Sequence, residues 1–478
     1  MFQVKPEHFR RVSFATKLFP RINSALGVDT NKLKSTENFD GQLFCGGRSK
    51  NRDLLTYFGF IADSQRGAST FAQLPLFRRS LRKLVNLVER ELELVGAHEV
   101  LLPTIIPLKL WDKSKRLDRQ QDALNNVYCF KDASNIDLLL GPTYEESITQ
   151  LVGDLDPPKE SELPLLLYQT SAKFRYEPNP RFGLLRSNEF LMNDLYSFDV
   201  DIECAKQTYE LMTSVYDRIF SRLRLRCLRF ESVTGSIGGK YSHEYQLPVS
   251  SGEDHVIRCN SCEYSYNAEM GHAEGQDKCL RCYSKNIERL QTLELAHTFL
   301  LSDTYSKAMK ATMKCADGTR AHYEMGCFGL GLTRIIGAGL DLQSIVPGAQ
   351  SDRNEDYFQM RWPSEVEPFK IGIVSPARRS KQYQGDSTAF VKNLVSSLIE
   401  STREIDILVE DRDKDGIFKR ITKLKSLGIP NIIVVGQRFL QDEPEVELLT
   451  LDSNKQKYEQ QWLTRDQVCD LVKQLEIC

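Results

Sequence analysis

Between Phe369 and Val435 short apolar runs alternate with helical runs, a grammar that commits this part of the chain to a layered α/β domain. Lys370-Ile371-Gly372-Ile373-Val374 reads as a strand, 389–399 as a helix, 405–409 as a strand, 417–427 as a helix and 431–435 as a strand. The predicted domain spans 366–478 with a largely parallel sheet. A polar linker, 350–367, holds Trp362 and Pro363 and separates it from a body with another pattern. There, over 50–365, amphipathic helices mix with short apolar strands, which predicts an α+β unit. Leu81, Leu84, Leu87, Val88 and Leu92 form one stripe of a helix over 79–95, which Gly96 ends. Residues 100–102 follow as a strand stopped by Pro103, and 329–340 read as a buried helix. Residues 256–290 are polar and cysteine-bearing, a small insert.

A chain of 478 residues suggests two to four domains. No run approaches the roughly 18 apolar residues that cross a bilayer, so no membrane span is expected. A net charge of -2 excludes a strongly basic nucleic-acid coat but leaves room for a local basic face. Twelve cysteines without an apolar signal peptide fit a reducing compartment better than a disulfide scaffold. In the first 30 residues Lys5, Arg10, Arg11, Lys17 and Arg21 face only Glu7 and Asp29, with Ser13, Thr16, Ser24 and several phenylalanines interspersed. That composition predicts a transit peptide over 1–30; a plain basic tail is the alternative.

The chemistry concentrates between Arg175 and Phe198. Residues 165–168 and 189–192 read as antiparallel strands joined by a long charged loop. On such a hairpin Arg175 offers a planar fork to an α-phosphate and Phe190 a face for a purine. Arg186 would lie near the triphosphate, and Glu177 could accept from an exocyclic amine. A salt-bridged exposed hairpin would use the same residues. Farther on, Cys259-x-x-Cys262 and Cys279-x-x-Cys282, separated by sixteen residues, have zinc-ribbon spacing. They read either as a structural Zn²⁺ site or as a knuckle that folds without metal.

The string Tyr168-Gln169, Lys173-Phe174-Arg175, Arg181 to Arg186, Glu189-Phe190, Asp194 and Tyr196-Ser197-Phe198-Asp199 resembles motif 2 of class II aminoacyl-tRNA synthetases. It is similar to the prolyl-tRNA synthetases in particular, of the mitochondrial type. The Leu81 helix with Gly96 to Pro103 resembles motif 1, and Glu324 to Arg334 resembles motif 3. Gly141-Pro142-Thr143-Tyr144-Glu145-Glu146 is similar to the prolyl enzymes' Thr-x-Glu loop, although most members carry His where this chain has Tyr144. Gly235 to Gly239 with Ser242-His243-Glu244 resembles their glycine-rich strand and loop, and Glu294 to Phe299 their pocket floor.

The resemblance implies a class II antiparallel-sheet catalytic core followed by an α/β anticodon-binding domain. It implies proline and tRNA(Pro) as substrates, and ATP with Mg²⁺, the metal held by Glu177 and neighbouring carboxylates. Arg175, Glu177 and Arg334 would be catalytic, with Arg186 and Phe190 completing the ATP site. Thr143, Glu145, Arg175, His297 and Cys327 would hold proline. Asp411 and Arg412 would face the anticodon, and Lys419, Arg420, Lys423 and Lys425 could meet RNA phosphates. Motif 1 implies a homodimer, and the mitochondrial type implies the matrix. Where bacterial-type prolyl enzymes carry a large editing domain this chain has a few dozen residues, so mischarged alanyl-tRNA would not be cleared in cis. Two rivals remain. A non-catalytic synthetase-like nucleic-acid-binding protein typically lacks the ATP arginines, which are present here. A threonyl ligase would need metal ligands that the pocket strands lack.

Overall fold

The computed structural model describes residues 12–15, 55–56, 58–63, 70–116, 127–177, 183–268, 278–344, 359–377, 387–402, 405–412, 414–452 and 457–477. In chain order the elements that position the site begin with β1 (Val12–Phe14), α1 (Pro75–Glu93), β2 (His98–Glu99), α2 (Glu145–Asp154), β3 (Leu165–Phe174) and β4 (Glu189–Asp199). They continue with α3 (Ile202–Arg222), β5 (Leu228–Ser232), β6 (Tyr241–Pro248), β7 (Asp254–Cys259), β8 (Ser265–Asn267), β9 (Ile287–Ser302), β10 (Glu324–Gly331) and α4 (Leu332–Gln343). The last are β11 (Ile371–Val374), α5 (Ser387–Ser401), β12 (Ile407–Glu410), α6 (Ile417–Ser426), β13 (Asn431–Val434), β14 (Glu445–Asp452), β15 (Lys457–Thr464) and α7 (Arg465–Ile477).

Pro at the first turn starts α1, and its buried stripe is the expected one, Leu81, Leu84, Leu87, Val88 and Leu92. Gly96 follows at φ +80°, a left-handed turn that a side chain would strain. The strand after it is His98–Glu99, not 100–102, and pairs in parallel with β3. Beyond it the chain peels off the sheet edge, and Leu102 N–H donates to the Gln169 side chain instead of a neighbouring strand. The central sheet runs β5-β6-β9-β10-β4-β3-β2, with β7 and β8 branching from β9. Helices α1, α3 and α4 cover one face, where Phe328, Leu330 and Leu300 are buried. On the opposite face a cluster around Trp111, Tyr144, Phe299 and Tyr305 forms one wall of a cleft. The expected helix at 329 begins at Leu332, because the glycines up to Gly331 continue the ladder with β4.

The C-terminal sheet runs β1-β12-β11-β13-β14-β15. Strands β12, β11 and β13 are parallel as expected, and β1 joins them in parallel from the N-terminal segment, which was not expected; β14 and β15 add an antiparallel edge that the alternating pattern did not announce. Most of residues 1–30 lies outside the described residues. Val12–Phe14, however, pairs with Ile407–Val409, and Ala15 is buried, so part of the basic segment belongs to this sheet. No helix among the described residues is long and apolar enough to cross a membrane.

Asp406 ties the two parts together, accepting Arg79 Nη2 at 2.5 Å and Lys83 Nζ at 3.1 Å. Trp362 Nε1 donates to Leu427 O at 2.9 Å. Beside it Gly428, at φ +73°, lies so close to the linker that an added Cβ would meet Met360 O at 2.3 Å. Gly428→Ala therefore combines a strained backbone with a clash, and we expect chemical denaturation to show a loss of about 1–3 kcal/mol.

Candidate active site

The amino terminus of α2 forms the closed end of the cleft. Glu145 and Glu146 open that helix, where the exposed N–H groups favour negative charge. Both are fully buried, which a carboxylate tolerates only with partners. Arg116, itself buried, supplies them: Nη2 lies 2.9 Å from Glu145 Oε2 and Nε 3.2 Å from Glu146 Oε1. Thr143 Oγ1 lies 2.7 and 2.8 Å from the two Glu145 oxygens, and the Cys327 thiol lies 3.4 Å from one of them. Burial pushes the Glu145 carboxyl up, but Arg116 and Thr143 outweigh it and hold it below its ordinary value. Glu146 is pushed up, by burial first. Thr143, Glu145 and Cys327 thus come together as the sequence predicts. Arg116 was not foreseen: it lies among Lys113, Lys115, Asp118 and Arg119, a charge run that pattern assigns to solvent. Tyr144, in the place of the family's histidine, is buried with Lys173 Nζ 4.5 Å from its ring centre. A Cβ on Gly141 would fall 2.4 Å from its hydroxyl.

Arg175 and Arg334 line the same cleft. Main-chain carbonyls hold both: Arg175 Nε and Nη2 donate to Pro142 O at 3.3 Å, and Arg334 donates to Leu185 O at 2.8 Å and Glu294 O at 2.9 Å. A carbonyl orients a guanidinium without cancelling its charge. Burial, and then repulsion from Arg334, lower the Arg175 pKa. Phe190 lies beneath Arg175, 5.3 Å from ring centre to guanidinium carbon. Gly329 lines the cleft too, and an added Cβ there would touch the protein only at ordinary contact distances, so its absence widens the cleft.

Glu177 and Arg186 occur in the cleft but hold each other. Arg186 Nε donates to Glu177 at 2.6 Å and Nη1 to Glu253 at 2.5 Å. Burial lowers the Arg186 pKa, but the two carboxylates outweigh it and raise it. The carboxylates with a metal-like arrangement are different ones: ligand atoms of Glu244, Glu294 and His297 all lie within 4.8 Å of one another. Glu294 Oε1 is 2.9 Å from His297 Nδ1, and Oε2 is 3.6 Å from Arg334. Burial raises Glu294, but His297, Arg334 and Arg175 overcome it and bring it to about 2. Glu244 is pushed up by burial and by the Glu294 charge. His297 stacks on Phe299 with ring centres 4.0 Å apart, and its buried Nε2 has no hydrogen-bond partner among the described residues.

The sequence names Glu294 only as the start of the pocket floor and gives it no role beside His297, because positions three apart on a regular strand face opposite ways. In β9 the register against β6 skips Leu295, pairing Gln246 with Glu294 but Tyr245 with Ala296. This bulge returns Glu294 to the side of His297. His243, next to Glu244, points away, with Nδ1 2.8 Å from the Tyr209 hydroxyl.

In the C-terminal domain Asp411 and Arg412 follow β12 at the carboxyl end of the parallel sheet, and Arg412 Nε lies 2.8 Å from Glu410 Oε1. Arg420 is not available to RNA: it is buried, and it donates to Glu410 O at 3.0 Å and to Ser375 O. Lys419 and Lys423 both pair with Asp415, at 2.8 and 2.5 Å.

An antiparallel sheet with two opposed arginines above a buried Thr-x-Glu corner is the core of a class II aminoacyl-tRNA synthetase, and residues 128–343 match the family described as tRNA synthetase class II core domain (G, H, P, S and T). The chain is 34% identical over 444 residues to a probable mitochondrial proline--tRNA ligase of Rattus norvegicus, covering 92% of this chain and 88% of that protein. The corresponding human protein is 32% identical, covering 95% and 90%. A proline--tRNA ligase of Anaplasma phagocytophilum is 32% identical, covering 81% and 91%. The chain belongs to the proline--tRNA ligase family. Among solved structures, Giardia lamblia prolyl-tRNA synthetase in complex with prolyl-adenylate shares the fold at a TM-score of 0.69 and 16% identity, covering 87% of this chain and 74% of that one. The Cryptosporidium parvum enzyme complexed with L-proline and AMP gives 0.67 and 12%, covering 89% and 74%.

Arg116→Met leaves two buried carboxylates unpaired and should cost about 3–5 kcal/mol. Because Arg116 holds the Glu145 carboxyl low, the pair's contribution is complete above the ordinary carboxylate range and fades only as pH falls through that lowered value. In the variant, the acid loss of stability should start at higher pH, as measured by denaturant titration across pH.

Proposed function

We propose that this chain activates proline with ATP and transfers it to tRNA(Pro), in the mitochondrial matrix and as a homodimer. The observation that carries the reading is the cleft itself: two guanidiniums oriented by carbonyls at one side, and a buried Thr143–Glu145 pair at its end. The first is an anion site and the second a site for a compact cation, the two groups that a triphosphate and an imino acid bring. In this reading the Glu145 carboxylate and Thr143 bind the proline ammonium, while Cys327 and His297 border the pyrrolidine. The proline carboxylate attacks the α-phosphorus of ATP, a new O–P bond forms, the α–β anhydride breaks, and pyrophosphate leaves. Arg175 stabilises charge on the α-phosphate and Arg334 on the departing phosphates. The adenine lies on Phe190. A ribose hydroxyl at the tRNA terminus then attacks the acyl carbon, and AMP leaves. Protein groups position and neutralise here; they form no covalent bond.

Glu244 and Glu294 fit a hard divalent cation, since two close carboxylates, one with a raised pKa, gain from a charge between them. Mg²⁺ there would neutralise the phosphates as the anhydride breaks. Glu177 instead orients Arg186 toward the nucleotide.

The relatives named mitochondrial support the location. A presequence in keeping with the fold would end ahead of Val12, because Val12–Phe14 completes the C-terminal sheet. For the dimer, Leu94 and Leu101 beside α1 and β2 are 77% and 78% exposed, an apolar surface where motif 1 sits.

ATP–pyrophosphate exchange with each amino acid in turn tests the reading. Proline alone should give strong exchange. Arg175→Ala should lower its rate about 10²–10³-fold. Glu145→Gln should raise the KM for proline about 10–100-fold and leave that for ATP unchanged. No labelling with proline, or full exchange by Arg175→Ala, overturns it. Sedimentation should show a dimer, and a monomer that keeps full activity at high dilution refutes the proposed pairing.

A further inference from the structure

Far from the cleft, at the outer end of β7, Cys259, Cys262, Cys279 and Cys282 bring their four sulfurs within 4.8 Å of one another. Cys259 Sγ is 3.6 Å from Cys282 Sγ, and Cys262 Sγ is 3.6 Å from Cys279 Sγ. A disulfide needs about 2.05 Å. Four thiolates held at about 2.3 Å by a tetrahedral ion stand roughly 3.8 Å apart.

The two Cys-x-x-Cys turns are built alike. Cys259 N–H donates to Tyr264 O, and Glu263 N–H donates back to Cys259 O, both at 2.9 Å. Cys279 N–H donates to Ser284 O at 2.8 Å, and Tyr283 N–H donates back to Cys279 O at 2.9 Å. Glu263 at φ +58° and Tyr283 at φ +59° occupy the same left-handed position in each turn. Arg281 and Cys282 aim their N–H groups at Cys279 Sγ, at 3.3 and 3.5 Å, as suits a sulfur carrying negative charge. The turns are joined by Ser261 Oγ to Ser284 Oγ at 2.8 Å and by Asn260 N–H to Asn286 O at 2.9 Å.

We propose that these four cysteines bind one structural Zn²⁺. A tetrahedral S₄ set suits zinc or iron. Zinc is the choice for an insert attached to a site where phosphoryl and acyl transfer move no electrons. Four protein thiolates leave no open position, so the ion does no chemistry itself. Its place in the fold gives it a mechanical role. Cys259 ends β7, whose ladder runs along the first half of β9 from Ile287 to Thr292. The second half of β9 carries Glu294 and His297, and Glu253, just before β7, holds Arg186. The ion clamps the open end of the ribbon whose other end borders the cleft.

The full chain, purified without chelator, should contain about one zinc per chain by inductively coupled plasma mass spectrometry. Cys262→Ser and Cys279→Ser should lose it, whereas Cys129→Ser, at an exposed cysteine elsewhere, should keep it. Should the serine variants fail to fold, wild-type protein decides: a mercurial titration followed with a zinc chromophore should release one zinc as these thiols react. The zinc-free protein should lose exchange activity faster on heating than the loaded protein. Folded wild-type protein with free thiols and no metal, iron in place of zinc, or disulfides under non-reducing mass spectrometry would each overturn the proposal.

Discussion

Charge cannot be left unpaired in a half-buried cleft, and that constraint organises this protein. Glu145 and Glu146 sit at zero exposure because Arg116 lies beneath them. Lys173, equally buried, is held by Asp194 at 2.5 Å, and Asp194 also accepts from Tyr196 and Gln169. Lys173 and Gln169 lie on β3 and Asp194 on the adjacent β4: the register sets Asp194 opposite Gln169, and the Lys173 side chain runs along the ladder to reach it. Among the described residues of the cleft, Arg175 and Arg334 are less fully neutralised, because their best-oriented contacts are carbonyls. Positive charge therefore collects at one place, and there a triphosphate would supply what the protein withholds.

The same constraint explains what the sequence made legible. Residues whose role follows from local pattern were found: the stripe of α1, the hairpin of β3 and β4, and the three strands β11, β12 and β13 of the C-terminal sheet; the Thr143–Glu145 corner came from the resemblance alone. Those whose partners are distant in sequence were not. Arg116 reaches Tyr305 across 189 positions, and no local pattern separates it from the lysines around it. Glu294 depends on a bulge of one residue, invisible to a period of two. Glu177 lines the cleft but is held by Arg186, which also binds Glu253, and both partners come from segments outside the strands: Arg186 from the loop before β4 and Glu253 from the turn before β7. Arg420 read as a helix cation that could meet RNA phosphates, yet it is buried and its helix packs on β11 and β13. In each case pattern found the element and tertiary pairing chose the job.

The two domains share a boundary more continuous than the linker composition suggests. Phe60 packs 5.1 Å from Trp362, Arg79 lies over Phe369 at 4.4 Å, and Leu408, Leu424 and Ile432 belong to the same buried cluster as the helices behind the catalytic sheet. Asp406 and Glu367 bind the cations of α1 at this boundary. Helix α1 thus faces both ways, its stripe against the catalytic core and its cations toward the C-terminal domain.

Strand β9 makes a comparable link inside the core. It is sixteen residues long, three times an ordinary strand, and only its second half is needed to floor the cleft. Its first half would be an exposed ribbon with unpaired edges if the insert were simply trimmed away. β7 covers one edge of that half, β8 pairs in turn with β7, and the cysteine turns close the end. A short insert at this place is therefore more than what remains when a domain is absent. It finishes a strand that the cleft requires, and it does so with covering strands and a four-sulfur clamp because too few residues are present to build an apolar core of their own.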